Sequence, residues 1–193
     1  MNVREAVLKR RSIRKYTEEQ ISEEDLLTIL EAGLNAPSAS NYQPWYFVAV
    51  RSPEKMRELL DIMNGVARDH EPLITERFRK HPEVAREVHG FLQTLGGAKT
   101  CIIIFHYKEE YLNSGEDIIE HSLGAAIENM LLQAQELGIG SCWVAAPSET
   151  GADEIIRQHF APDKGPFAAI VTLGYAEKVP PAPKRREGRW VMI

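Results

Sequence analysis

The sequence predicts an α+β or α/β fold in which one β-sheet is covered by helices on both faces. Four short runs rich in β-branched and aromatic residues alternate with segments of helical periodicity, an order that produces a sheet with helices packed against it. Hydrophobic residues make up 44% of the 193-residue chain, which suffices for a core and argues against disordered and fibrous classes. We therefore expect residues 1–193 to form a single domain.

The N-terminal region is predicted to form two helices. Residues 1–9 place Val3, Val7 and Leu8 on one side of the first helix, as an amphipathic helix requires. The second helix begins after Ser22, because serine is a favoured N-cap and acidic residues fill the turn that follows it. Both helices precede the first predicted strand.

The next part of the chain contains a strand and further helical segments. The strand is predicted over residues 47–50, and a third helix over residues 52–63, with Pro53 at a position where its missing N–H costs nothing. Residues 65–97 are polar and charged, and we expect them to be helical in pieces. Three histidines of this region are interpreted as surface or helix-end residues and not as ligands: His70, His81 and His89.

The second half of the chain supplies the other three strands. Residues 101–107 form a nearly continuous β-rich run, typical of a strand buried on both faces. A long helix follows over residues 117–137, then a strand over residues 141–146 and a short helix around residues 152–159. The last strand is predicted over residues 167–175.

The long helix predicts self-association. Leu123, Ile127 and Met130 recur at a helical period, while residues 124–126 add a second face of small side chains. A helix that is apolar on two sides needs two partners, and in a short chain the second partner can be another copy of the same helix. We expect a two-fold dimer with this helix near the axis; a central core helix in a monomer is the alternative.

Positive charge is concentrated at the two ends of an acidic chain. Residues 1–15 hold six basic residues and one acidic residue, and residues 178–193 hold five and one, although the net charge is −5. Nucleic-acid binding requires a basic face over the whole domain, so this distribution argues against it and suits a smaller anion such as a phosphate held by both ends. Solvated tails are the alternative. The closing run, residues 190–193, is apolar, and we expect it to dock on the other subunit.

Cysteine use and hydropathy indicate the compartment. Cys101 and Cys142 lie in apolar runs without a CxxC or Cys/His spacing, so we interpret them as buried thiols and expect no metal site. The chain has no apolar run of about 18 residues, the length that a membrane span needs, and its N-terminus does not resemble a signal peptide. We expect a cytoplasmic protein without a membrane partner.

Three polar clusters carry the candidate chemistry. They are "RRSIR" at 10–14, "PSASNYQPW" at 37–45 and "PKRREGR" at 183–189. Arginines and a serine supply the charged donors that suit a phosphate monoester, and the second cluster supplies donors and acceptors that suit the edge of a heteroaromatic ring. Neither a Walker loop nor GxGxxG is present. Ordinary turn chemistry before a strand is the alternative for the second cluster.

Taken in order, four segments resemble the flavin-dependent nitroreductase family over essentially the whole chain. They are "RRSIRKY", "APSASNYQPWYFVAV", "GAAIENMLLQAQELGIGSCWV" and "LGYAEKVPPAPKRR". The resemblance implies an α+β fold with a central, mostly antiparallel sheet flanked by helices. It also implies an intertwined homodimer that binds two FMN molecules at the subunit interface.

The resemblance assigns FMN-binding roles to particular residues. Arg10, Arg11 and Ser12 would hold the phosphate and ribityl chain, and Arg14 would lie near the pyrimidine edge of the flavin. A loop from the opposite subunit would pack on the ring system, and it comprises Pro37, Ser38, Ala39, Ser40, Asn41 and Gln43.

Two further pairs complete the implied cofactor site. Ala145 and Ala146 match the place where backbone N–H groups face the N5 and O4 region of the flavin. Lys184 and Arg186 match a C-terminal basic pair that closes over the phosphate, which would account for the positive charge at both ends. An additional Asn and Lys that many members use cannot be located in residues 65–99.

The implied activity is an NAD(P)H-dependent, two-electron ping-pong reduction of a nitroaromatic, a quinone or another small electrophilic acceptor. NADH or NADPH would be the donor, and no side-chain acid or base is compulsory, so no catalytic residue is assigned. A non-catalytic FMN-binding protein, a basic-ended interaction module and specialised flavin chemistry such as reductive dehalogenation are the alternatives.

Overall fold

The computed structural model of the protein describes residues 1–108 and 116–193. Within these residues the strands are β1 (Trp45–Val50), β2 (Thr100–His106), β3 (Gly140–Val144) and β4 (Phe167–Gly174). The helices are α1 (Val3–Lys9), α2 (Glu23–Leu34), α3 (Pro53–Arg77), α4 (Pro82–Thr94), α5 (Glu116–Glu136), α6 (Ala146–Thr150) and α7 (Asp153–Phe160). Short 3-10 turns lie at Ala39–Asn41 and Leu95–Gly97.

The sheet is antiparallel throughout the described part of the chain. Its four strands lie in the order β1-β2-β4-β3, so that β1 and β3 form the two edges. Each neighbouring pair runs antiparallel. The α+β class with a central antiparallel sheet is therefore confirmed, and the α/β alternative is not.

The central strand β2 explains how helices cover both faces of the sheet. All seven of its residues are buried, and successive side chains point to opposite faces. Cys101, Ile103 and Phe105 belong to one core cluster, together with residues of α3, α4 and α7. Ile102 and Ile104 belong to a second cluster, together with residues of α2 and α5. The predicted helices on both faces are confirmed.

The third helix is longer than the sequence predicted. The expected end lay near residue 63, whereas α3 continues to Arg77 and includes Pro72. Buried side chains recur through the extension, for example at Ala67 and Ile74. Burial against the core therefore outweighs the low helix propensity of an internal proline.

The histidines of this region do not share one environment. His70 lies in the middle of α3 and is 6% exposed, so its interpretation as a surface or helix-end residue is wrong. His81 is the N-cap residue of α4, as expected for a helix end, and His89 is half-buried within α4. A buried imidazole needs a polar partner.

The third strand ends earlier than predicted. β3 stops at Val144, and Ala146 already begins α6. Pro147 occupies the first turn of α6, where a proline fits without losing a hydrogen bond. Ala145 and Ala146 therefore lie in a strand-to-helix corner and not in the strand itself.

Both chain ends present apolar side chains to the outside. The first helix forms as predicted. The side chains expected on its apolar side, those of Val3, Val7 and Leu8, are exposed, whereas Ala6 is buried. The tail from residue 178 onward is extended and exposed, and Trp190 is 79% exposed. Docking of the tail on a second subunit remains a prediction, and these surfaces are its candidates.

Two further expectations concern the cysteines and the membrane. Cys101 and Cys142 are free and buried, as predicted. Burial raises the pKa of the Cys101 thiol to about 12, which keeps it protonated at neutral pH.

Among the helices of the described ranges, none has the length and hydropathy needed to cross a bilayer.

Candidate functional site

The first basic cluster is held in an extended segment beside β3. The N–H of Ile13 donates to the Ser141 carbonyl at 2.9 Å, and Ser12 forms a parallel bridge with Ser141. A side chain at Gly140 would meet Ile13 within 2.8 Å, so the close approach of the two segments depends on glycine there. Residues 10–14 therefore border the edge strand of the sheet.

A second contact fixes the far end of this segment. The Tyr16 N–H donates to the Gly96 carbonyl at 2.9 Å. Gly96 has φ of 68°, and a Cβ there would lie 2.5 Å from the Arg14 carbonyl oxygen. The buried Tyr16 hydroxyl contacts the Ile13 carbonyl at 2.8 Å and the Thr172 hydroxyl at 2.7 Å. The backbone that carries the arginines is thus held from both sides.

Three of the predicted FMN-binding residues influence one buried thiol, that of Cys142. Burial raises the pKa of Cys142, while the charge of Arg14, a hydrogen bond with Ser12 and the charge of Arg10 lower it. Ser12 therefore lies within hydrogen-bonding reach of Cys142 on β3, and the charges of Arg10 and Arg14 act on the same thiol. The structure brings together Arg10, Ser12 and Arg14, the alternate residues of the extended segment.

Arg11 points elsewhere. Its Nη1 donates to the carbonyls of Leu8 at 2.8 Å and Arg10 at 2.7 Å. These hydrogen bonds satisfy carbonyl groups at the C-terminal end of α1, which lack partners within the helix. It also lines a cavity of about 400 Å³ with Ile13 and Pro180. Its assignment to the phosphate remains a prediction, and the structure gives it a local capping role.

Two neighbours orient the other arginines. Arg10 Nε lies 3.5 Å from Glu128 Oε1 on α5, and the Arg14 guanidinium lies 5.9 Å from the centre of the Phe91 ring on α4. A cation over an aromatic face is a favourable contact. Helices from both sides of the sheet therefore contribute to the arginine cluster.

The second cluster forms a strained loop that leads into β1. Ser40, Asn41 and Gln43 have φ of 48°, 56° and 46°. Asparagine tolerates this left-handed region, whereas serine and glutamine rarely adopt it. Three such residues within four positions are costly, and a backbone of this kind persists only when its surroundings enforce it. The assignment of this loop to the flavin ring and its alternative, turn chemistry before a strand, both stay predictions.

Hydrogen bonds within the loop and from α5 enforce its shape. The Gln43 N–H donates to Ser38 Oγ at 3.0 Å, and its side-chain amide donates to Asn41 Oδ1 at 3.1 Å. The Ala39 N–H donates to the buried Ser122 Oγ on α5 at 3.3 Å. The loop that follows Pro37 therefore presents a fixed set of polar groups.

The remaining predicted residues are placed by the corner after β3 and by the tail. Ala145 is exposed and Ala146 is half-buried, and their small side chains leave the backbone of the corner accessible. Lys184 and Arg186 lie in the extended, exposed tail. Their proximity to Arg10 in the assembled protein remains a prediction.

Two buried histidines with acidic partners were not assigned by the sequence. His106 Nε2 lies 2.9 Å from Glu120 Oε1 on α5, and its Nδ1 is buried with no hydrogen-bond partner within the described ranges. His70 Nε2 lies 3.5 Å from Glu149 Oε2 on α6. The His70–Glu149 pair joins residues remote in the chain, whereas His106 and Glu120 lie 14 residues apart on β2 and α5.

Comparisons with known proteins show the family of the chain. Residues 7–175 match the model of the Nitroreductase family, which spans most of the chain. The chain belongs to the nitroreductase family. A relative from Archaeoglobus fulgidus, provisionally named an NADH dehydrogenase/NAD(P)H nitroreductase, is 31% identical over 167 residues, covering 86% of this chain and 80% of that protein.

Solved structures of nitroreductases show the same fold. A provisionally named nitroreductase from Desulfovibrio desulfuricans, crystallised in complex with FMN, has a TM-score of 0.75 at 27% identity and covers 100% of this chain and 96% of its own. A Bacteroides fragilis nitroreductase with bound FMN has a TM-score of 0.72 at 25% identity, with coverage of 100% and 99%. This nitroreductase therefore shares its fold with proteins that bind FMN.

Proposed function

We propose that this nitroreductase is an FMN-dependent NAD(P)H oxidoreductase that reduces a nitroaromatic, a quinone or another small electrophilic acceptor by a ping-pong mechanism. The observation that carries the proposal is the strained polar loop at residues 38–43, combined with the arginine cluster at β3, in a chain of this family. The names of relatives support the donor, and the FMN-bound neighbours support the cofactor.

The donor set fits FMN. Arg10 supplies permanent charge and Ser12 supplies a hydroxyl beside β3, as a phosphate monoester and a polyol chain require. Arg14, two residues further along the same segment, supplies the charge proposed for the pyrimidine edge of the ring. The loop at residues 38–43 supplies fixed amide and hydroxyl groups, which suit the polar edge of a flat heteroaromatic ring. The accessible backbone at Ala145 allows close approach of such a ring.

The sheet topology supports a site shared between two copies of the chain. The loop enters β1 and the arginine segment borders β3, and these strands form opposite edges of the sheet. Three strand spacings separate the edges, roughly 14 Å. We propose that the arginines of one subunit and the loop of its partner hold the same FMN, which makes the homodimer necessary for function.

In the proposed mechanism, residues of the chain bind FMN, orient its ring and neutralise its negative charge. FMN, when bound, would accept two electrons as a hydride from NAD(P)H and pass them to the acceptor. Arg14 would stabilise negative charge near the ring, and the backbone N–H groups at Ala145 and Ala146 would fix the orientation of the ring. No side-chain acid or base is needed for these roles, so no catalytic residue is proposed.

Steady-state kinetics test the proposed reaction. With NADH or NADPH and a quinone or nitroaromatic acceptor, we expect parallel lines in double-reciprocal plots, because donor and acceptor would use the same face in turn. Oxidation of NAD(P)H no faster than with free FMN would instead identify a non-catalytic FMN-binding protein.

Ser122 is expected to affect FMN binding through the loop. Ser122→Ala removes the acceptor of the Ala39 N–H, and a lost hydrogen bond of this kind costs about 1 kcal/mol. We expect FMN affinity to fall about fivefold in a fluorescence titration. Thr28→Ala is the matched control. Ser122 Oγ donates to the Ile118 carbonyl at 3.0 Å and Thr28 Oγ1 to the Glu24 carbonyl at 2.9 Å, each four residues earlier in its helix, but the Thr28 bond is an exposed one on α2. An equal loss in both variants would contradict the role of Ser122.

A further inference from the structure

His70 interrupts an otherwise apolar stripe of α3. All residues of this helix are described, and its other buried residues are apolar, among them Met63, Ala67 and Ile74. The spacing of three or four residues places His70 on the same face. Burying an imidazole costs free energy unless a polar partner compensates it, so an apolar residue would serve packing better. Packing of the core alone therefore does not explain a histidine at this position.

The partner of His70 lies on α6. His70 Nε2 and Glu149 Oε2 are 3.5 Å apart, with side-chain exposure of 7% and 46%. The contact joins the middle of a long core helix to the surface of a short one. Because α3 is anchored along its length by buried residues, it provides a fixed point for the position of α6.

α6 is too short to hold its own position. It has five residues, lacks a side-chain N-cap and ends at Gly151 with φ of 74°. Its internal bonds include the Ser148 N–H to the Ala145 carbonyl at 3.2 Å. Nucleation of an isolated turn is unfavourable, so the placement of α6 depends on contacts with the rest of the protein. Burial of Pro147 supplies one, and Glu149 supplies another.

We propose that His70 is a positioning residue that fixes α6 through Glu149 and thereby orients the backbone of Ala145 and Ala146. The inference rests on the proposed function for its consequence, because this corner is the part assigned to the flavin ring. Pro147 restrains α6 through its own buried side chain, whereas the His70 contact restrains it through the half-exposed side chain of Glu149.

Hydrogen exchange of the ligand-free protein tests the structural step. In His70→Leu and in Glu149→Ala, the amides of residues 148–152 should exchange about fivefold faster, as expected for the loss of one polar contact. His70→Gln retains a donor and should restore slow exchange. Glu154→Ala is the matched control, because Glu154 pairs with Arg157 within α7 and its loss should leave exchange at residues 148–152 unchanged.

The outcomes separate this inference from the proposed function. Wild-type exchange at residues 148–152 in both His70→Leu and Glu149→Ala overturns the inference. If His70→Leu does not fold, Glu149→Ala decides, since the Glu149 side chain is half-exposed. In the FMN-loaded protein, His70→Leu should lower the rate of anaerobic flavin reduction about tenfold, because a small displacement of a positioned group is costly. FMN occupancy should stay unchanged. An FMN-free wild-type protein overturns the proposed function, and the exchange data still decide the role of His70.

Discussion

Replacing both Arg10 and Arg186 with alanine is expected to abolish retention of FMN during purification. Each arginine would donate charge-assisted hydrogen bonds to the phosphate, and each such bond contributes roughly 1.5–3 kcal/mol. Loss of both corresponds to about a hundredfold to ten-thousandfold weaker binding. Absorbance at the flavin band relative to the protein band measures occupancy, and titration with added FMN measures the remaining affinity.

A surface arginine outside the cluster provides the control for the double variant. Arg79 is exposed and pairs with Glu76, so Arg79→Ala removes the same charge without touching the proposed site. It should keep full FMN occupancy. Undiminished occupancy in the Arg10 and Arg186 double variant would contradict the phosphate assignment. A loss in the Arg10 single variant alone would assign the phosphate to the N-terminal cluster and exclude the tail.

Removing the last four residues, 190–193, is expected to dissociate the proposed dimer. These side chains are exposed in the single chain, as are Val3 and Leu8 on α1. Burial of a large apolar side chain contributes about 1.5–3 kcal/mol, so even partial burial of four gives about 4 kcal/mol. The dimer dissociation constant should therefore rise roughly a thousandfold. Sedimentation velocity over a range of protein concentrations measures it.

The tail prediction needs a control for apolar surface in general. Ile155 on α7 is 50% exposed and lies far along the chain from both ends, so Ile155→Ser should leave the dissociation constant unchanged. Because the proposed FMN site uses two subunits, the truncated chain should also lose FMN at concentrations where it is monomeric. A truncated protein that stays dimeric at nanomolar concentration would show that residues 190–193 are only a tail.

The sequence predicted the elements whose signals are local. Ser22 is the N-cap of α2, with its side chain accepting from the Asp25 N–H, because serine before acidic residues is a strong helix start. The run from residue 101 is the fully buried β2, as its uninterrupted β-branched composition indicated. In both cases a few neighbouring residues determine the outcome.

Features set by tertiary contacts were not predictable in the same way. The extension of α3 to Arg77 depends on burial against strands that follow it in the chain. The left-handed residues of the loop carry no glycine signal, since Ser40 and Gln43 normally avoid that region. Backbone strain of this kind can be recognised only when the surrounding hydrogen bonds are known.

The candidate site also combines features that the local sequence predicts with features that tertiary contacts determine. Clusters of arginine, serine and asparagine were visible in the sequence, and the extended segment beside β3 brings Arg10, Ser12 and Arg14 together. Arg11 has the same composition signal but caps α1, because alternate residues of an extended chain point in different directions. The partner of His70 could not be inferred, since Glu149 is remote in sequence.

The central claim is that this nitroreductase holds FMN and reduces it with NAD(P)H. The most direct test is the visible spectrum of the purified protein under anaerobic conditions, before and after addition of NADH or NADPH. We predict a flavin absorption band that bleaches on addition of the nucleotide, faster than free FMN does at the same concentration. A protein that shows no flavin band even after FMN is supplied, or a band that neither nucleotide bleaches, would contradict the account.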